Sequence, residues 1–165
     1  MRIGILTISD SCFRKERTDD SGAFARSFFT GEEEIVQCLL VPDETKEIKG
    51  ALLEMADKFQ LDLVLTIGGT GLGPRDVTPE ATASVVDRVI PGLPEYLRRE
   101  TFYLNPNAVI SRAIAGLRGK TLIVNLPGNP KAVLEQLVLL APLLPHIQEM
   151  IEGKSHDSKS FMAHS

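Results

Sequence analysis

The chain has 165 residues, 43% of them hydrophobic, with a formal net charge of −4 and no tryptophan. Such a length suits one domain that buries roughly 68–70% of its unfolded surface, a real core that needs no disulfide or metal staple. The acidic balance excludes a broad nucleic-acid binder, which needs a basic surface interleaved with aromatics, and no apolar run approaches the ~20 residues of a membrane-spanning helix. Cys12 and Cys38 lack metal-ligand or redox spacing, and the opening Met1 to Leu6 is too short and too strand-like for a signal peptide. The expected location is the reducing cytoplasm.

Arg2 to Ile8 is a β-branched and leucine-rich run that ends in Ser9-Asp10-Ser11, the pattern of a buried strand and its turn. Asp19-Asp20-Ser21-Gly22 then opens a helix over Gly22 to Phe29, with Ser21 as its expected N-cap and Asp20 as a loop acid. Cys12 lies in this loop without a nearby histidine, so a thiol nucleophile is not expected. Ile35 to Val41 is a second strand, expected like the first to be buried on both faces, and it ends in Pro42-Asp43-Glu44. The segment Lys46 to Phe59 carries Ile48, Leu52, Met55, Ala56 and Phe59 at helical spacing.

A third strand, Asp62 to Ile67, runs straight into Gly68, Gly69, Gly71 and Gly73, followed by Arg75, Asp76 and the helix start Thr78-Pro79-Glu80. Glycines at a strand's end let the chain turn with positive φ and present bare N–H groups to an anion. Arg75 adds a guanidinium fork and Asp76 a carboxylate suited to a hard metal ion. Thr78 either caps the helix Thr78 to Val86 or touches the ligand; both leave the helix's positive end facing the turn. Two familiar motifs are near misses. Proline stands at position 74 where a dinucleotide fingerprint needs its last glycine, and Gly116 to Thr121 has Ile114 in place of the first Walker glycine and leads into a strand, so Lys120 is read as structural.

Ser111-Arg112 adds a cation near an element boundary, available to a ligand or to a surface acid. Thr121 to Asn125 is the last strand, followed by the turn Asn125 to Pro130 and a helix over Lys131 to Ile151. Lys131 in a first helical turn opposes the helix dipole, which suggests an anion-binding use. Residues 1–152 form the expected single domain, and 153–165 a polar tail whose His156 and His164 have no ligand cluster beside them.

Alternating strands and helices imply βαβ units, an α/β fold with a mainly parallel sheet covered by helices on both faces. In such sheets ligands sit beyond the carboxyl ends of the strands, where the loops holding Ser9, Asp43, the glycine turn and Pro127-Gly128 all fall. Two anionic phosphates about 4 Å apart repel by roughly 4 kcal/mol per charge pair at an effective dielectric near 20. Joining two phosphorylated reactants therefore needs a metal, a backbone nest and a cation, and candidates for all three are present.

Taken together, Thr7 to Asp10, Asp20-Ser21-Gly22, Val41-Pro42-Asp43-Glu44, Gly68-Gly69-Thr70-Gly71, Arg75 to Thr82, Pro91-Gly92, Ser111-Arg112 and Asn125 to Pro130 resemble the molybdopterin-binding family, in order, over about residues 2 to 152. That family includes the bacterial Mog and MoaB proteins and the G domain of gephyrin. The resemblance implies a three-layer αβα fold, usually a homotrimer, and work in molybdenum cofactor biosynthesis. Mog-like members transfer AMP from ATP, with Mg2+, to the terminal phosphate of molybdopterin and release pyrophosphate. By this resemblance Asp43 and Asp76 are the catalytic and metal-holding acids. Gly68, Gly69, Thr70, Gly71 and Thr78 would hold the pterin or its phosphate, and Ser9, Asp10, Pro127 and Gly128 the nucleotide. Asp20, Ser21, Arg75 and Ser111 complete the substrate-binding set. Hand-off of the product to a molybdenum-insertion protein is implied as well. MoaB-like proteins share the scaffold, so a molybdopterin-binding carrier without robust transferase activity is the alternative. The long flanking domains of insertion proteins and nucleotide amidohydrolases have no counterpart in this sequence, which favours a stand-alone adenylyltransferase.

Overall fold

In the computed structural model, which describes residues 1–154, six strands form one sheet in the order β2-β1-β3-β6-β5-β4. These are β1 (Arg2–Ile8), β2 (Glu34–Val41), β3 (Leu63–Ile67), β4 (Arg88–Val89), β5 (Ala115–Arg118) and β6 (Thr121–Leu126). The first three and β6 pair in parallel; β5 and β4 run antiparallel at one edge. The helices are α1 (Asp10–Phe13), α2 (Asp20–Phe28), α3 (Thr45–Leu53), α4 (Thr78–Ala83), α5 (Gly92–Phe102), α6 (Pro130–Leu140) and α7 (Leu144–Ile151).

Burial on both faces of the sheet makes three layers. Ile3, Ile5, Leu65 and Val124 pack on one side with Ala25 of α2, Leu97 of α5 and Val133 and Leu137 of α6. Leu6, Val64 and Ile123 pack on the other with Ile48 and Leu52 of α3 and Ala81 of α4. Alternate side chains of one strand thus enter opposite cores, as the pleat requires. Among the described residues no helix is long and apolar enough to cross a membrane.

Several sequence expectations need correction. β2 is an edge strand of intermediate burial rather than one buried on both faces. The helix expected over 46–59 is α3 followed by a wider π-type turn at Glu54–Lys58. The helix expected over 131–151 is two: Pro142 and Pro145 fall at the starts of a short 3-10 segment, Ala141–Leu143, and of α7, because a proline is accepted in a first turn and not inside a helix. Ser21 does not cap α2; Asp19 does, accepting from Gly22 N at 2.8 Å. Gly153 closes α7 with φ +73, its N–H on the Met150 carbonyl, while His156 and His164 lie outside the described residues.

Candidate functional site

Parallel register sets the loops side by side. Thr7 pairs with Ile67 and with Leu40, and Ile67 with Leu126, so the chain leaves β1, β2, β3 and β6 at one sheet edge. Gly68 and Gly69 turn there with φ of +102 and +65. A side chain on Gly68 would run into the Ile8 carbonyl, and one on Gly69 into the Thr78 hydroxyl. These two positions therefore require glycine both for conformation and for room.

The turn is tied down from two directions. Thr78 N donates to the Gly69 carbonyl at 3.1 Å and the buried Thr78 hydroxyl to the Gly68 carbonyl at 2.9 Å. From the far side Arg112 donates through Nε to the Gly71 carbonyl at 2.8 Å and through its terminal nitrogen to the Asp76 carbonyl at 2.6 Å. Its other nitrogen pairs with Glu80 and holds that carboxyl below its usual range, while its backbone N–H reaches the Thr70 carbonyl at 2.9 Å. Arg112 thus braces the loop backbone and meets a surface acid at the same time. Gly73 N donates to Asp76 Oδ2 at 2.8 Å, which fixes that carboxylate against the loop.

Asp43 is held by its neighbour across the sheet edge: Asp10 N donates to Asp43 Oδ2 at 2.7 Å, and Asp43 N to Asp10 Oδ1 at 3.1 Å. Arg75 forks onto the Asp10 carboxylate with both bonds at 3.1 Å and pairs with Glu44 at 2.7 Å. The guanidinium therefore holds the Asp10 carboxyl below the usual aspartate range. Burial pushes Asp43 the other way, upward, and the charges of Asp10 and Asp76 add to it. Ser21 joins the β6 loop by donating its hydroxyl to the Gly128 carbonyl at 2.7 Å.

Two cavities meet at this edge. The first, of about 430 Å³, brings together Ser9, Asp20, Ser21, Asp43, Gly68, Gly69, Asp76 and Gly128. The second, of about 350 Å³, brings Thr70, Gly71, Ser111 and Pro127 to the far side of Gly69, Asp76 and Gly128, which line both. Asp43 and Asp76 hence share one hollow. Asp10, Arg75 and Thr78 line neither: Asp10 and Arg75 are committed to each other, and Thr78 is buried one residue inside α4, whose cap position is Val77. Lys131 also stands apart, exposed and 3.8 Å from Glu135.

The first cavity is acidic. Asp19, Asp20, Asp43 and Asp76 line it against Arg17, whereas the second is lined by Asn105, Asn107, Asn129, Glu135 and Gln136 with no lysine or arginine. Sequence reasoning missed Arg17, Asp19 and these amides apart from Asn129, which lies in the Asn125 to Pro130 turn. Asp19 was half visible, because either acid of Asp19-Asp20 can cap; the amides carry no spacing signal.

Residues 4–146 match the family model described as a probable molybdopterin binding domain. The chain is 38% identical over 158 residues to a molybdopterin adenylyltransferase of Helicobacter pylori strain J99, covering 93% of this chain and 89% of that protein. It is 40% identical over 150 residues to the molybdenum cofactor synthesis protein cinnamon of Drosophila melanogaster, covering 90% of this chain but spanning only 25% of that protein. The crystal structure of the molybdopterin biosynthesis enzyme MoaB from Thermus thermophilus superposes with a TM-score of 0.87 at 49% identity, covering 93% of this chain and 97% of that one.

Proposed function

Because the chain belongs to the molybdopterin-binding domain family, we propose that it is a molybdopterin adenylyltransferase of molybdenum cofactor biosynthesis. The observation that carries this reading is the sharing of one hollow by Asp43, Asp76 and the Gly68-Gly69 turn, with Asp76 and Gly69 also walling a second. Two cavities with a common wall suit two substrates whose phosphates must meet. ATP would place its phosphates in the first and molybdopterin its ring in the second.

An acid-lined cavity accepts a polyphosphate only with a cation. Mg2+ characteristically takes one or two carboxylates and completes its shell with substrate phosphate oxygens and water. Among the described residues no group of three or more acid, histidine or cysteine side chains is arranged to hold a metal ion, and of the four aspartates lining the cavity Asp43 and Asp76, which flank the glycine turn, are the pair that would hold it. When bound it would supply Lewis-acid neutralisation of phosphate charge. The raised position of Asp43 agrees, since burial beside like charge favours whatever brings a positive partner.

In the reaction a terminal phosphate oxygen of molybdopterin attacks the α-phosphorus of ATP; the new P–O bond forms as the bond to pyrophosphate breaks. An ionised phosphate has no proton to lose, so no general base is needed. The chain contributes positioning and fixed dipoles: Gly68 N is taken by the Leu126 carbonyl at 3.1 Å and Gly73 N by Asp76, so the N–H groups of Gly69 and Gly71 would meet developing negative charge, and the brace from Arg112 keeps the loop in place. Arg75 acts through Asp10, which in turn orients Asp43.

A homotrimer, a cytoplasmic site of action and delivery of the product to a molybdenum-insertion protein complete the proposal by family likeness. The second reading is the MoaB-like alternative, a molybdopterin carrier without robust transferase activity; the MoaB structure at 49% identity is itself described as a biosynthesis enzyme, so activity decides between the two. Incubating the protein with ATP, magnesium and molybdopterin separates them. The transferase releases pyrophosphate in step with adenylylated molybdopterin; the carrier binds the pterin and releases none.

A further inference from the structure

We propose that Gln136 reads the ring edge of molybdopterin in the second cavity and so selects the heterocycle admitted there, an inference that rests on the adenylyltransferase reading above. Gln136 lies on α6 and is only 5% exposed, yet it lines that cavity. Its Oε1 is the one buried side-chain nitrogen or oxygen without a hydrogen-bond partner among the described residues. Leaving such an atom unpaired costs about 1–3 kcal/mol, and interiors rarely tolerate it. The flanking buried positions of the same helix are Val133, Leu137 and Leu140, so an apolar residue would satisfy the packing at that depth. A primary amide kept there, at the wall of a hollow, fits a partner that arrives with the ligand.

The surroundings define that partner. Without a lysine or arginine on the wall, the cavity does not suit a phosphate and suits an uncharged ring that hydrogen-bonds. Asn105 is already occupied, its side-chain oxygen accepting from Asn107 N at 3.0 Å, and Glu135 faces Lys131. Asn129 Oδ1 accepts from Lys131 N and Ala132 N, and of the wall's amides Gln136 is the one whose oxygen is buried without a partner. A pterin presents a 2-amino-4-oxopyrimidine edge with N–H donors beside a carbonyl acceptor, and a primary amide complements it by accepting through Oε1 and donating through Nε2. Adenine offers a related aminopyrimidine edge, and its affinity is the arm that tells the two apart.

The test uses the full chain and two variants, Gln136→Met, of equal length without hydrogen bonding, and Gln136→Leu. Molybdopterin is titrated by fluorescence without ATP, and ATP is titrated separately. Both variants are expected to weaken molybdopterin roughly tenfold, the worth of a lost hydrogen bond of about 1.4 kcal/mol, and to leave ATP affinity within about twofold. Thermal midpoints should stay level or rise, because an orphaned polar atom has been removed. Unchanged molybdopterin affinity overturns the proposal, as does a shift confined to ATP or a fall in thermal midpoint that accounts for weaker binding of both ligands. Failure of the wild-type chain to bind either ligand would instead sink the adenylyltransferase reading, and this inference with it.

Discussion

Asp10 and Asp43 each donate a backbone N–H to the other's carboxylate, at 2.7 and 3.1 Å, across the parallel pairing of β1 and β2. The two acids are then pulled apart electrostatically. Arg75 holds Asp10 low, whereas burial and two neighbouring acids raise Asp43. One carboxylate is thus a fixed strut and the other a charge in need of a cation.

For Asp43 the sign of the linkage is clear. Its folded value lies above the unfolded one, so its contribution to stability is fully present below the ordinary aspartate value and is lost as pH rises through the folded value. Asp43→Asn should therefore melt at pH 7 no lower than the wild type. AMP transfer should fall on the order of a hundredfold or more, the usual cost of one preorganised electrostatic group. Melting curves paired with pyrophosphate release check both, and a much lower melting temperature would mark Asp43 as structural.

Asp10 carries the opposite sign. Its lowered value means stability that is present above about pH 4 and lost as pH falls through the folded value. Arg75→Gln removes the cause. Urea midpoints measured between neutral pH and about pH 3 should show the gap between wild type and variant closing on acidification. A constant gap would mean that Arg75 contributes packing and not charge.

Gly68→Ala should destabilise the fold by about 1–3 kcal/mol, because φ is +102 and the Ile8 carbonyl occupies the new methyl's place. Gly50→Ala is the matched control. It lies inside α3 with nothing within 4 Å of the added carbon and should stabilise by about 0.5–1 kcal/mol. Denaturant unfolding of the pair reads both signs.

Arg112→Lys keeps the charge and loses the fork that reaches Gly71, Asp76 and Glu80 together. A loosened glycine turn should lower kcat on the order of tenfold to a hundredfold while folding persists. Steady-state kinetics and circular dichroism on the variant would show it; wild-type kcat would remove Arg112 from the positioning of the loop.

Most of the framework was legible in the sequence because buried parallel strands announce themselves: β1, β3 and β6 are continuous apolar runs, and the turn after β3 has more glycine than a connection needs. The short antiparallel β4 and β5 were not, since two to four residues carry no period. At the site, Asp43 and Asp76 could be placed at the same sheet edge because each follows the carboxyl end of a strand in an alternating, mainly parallel pattern. Arg112 could not be assigned as the brace of a loop 41 residues away, nor Gln136 as the orphan amide, because both depend on tertiary approach.

Whether Asp43 and Asp76 share a metal is read most directly from a crystal grown with a nonhydrolysable ATP analogue and Mn2+ in place of Mg2+, with the metal located by anomalous scattering. One metal peak is expected between the Asp43 and Asp76 carboxylates, with the nucleotide's phosphates against the Gly69 N–H, since Gly68 N is held by the Leu126 carbonyl. A nucleotide ordered elsewhere on the subunit, with neither carboxylate near metal or phosphate, would contradict it.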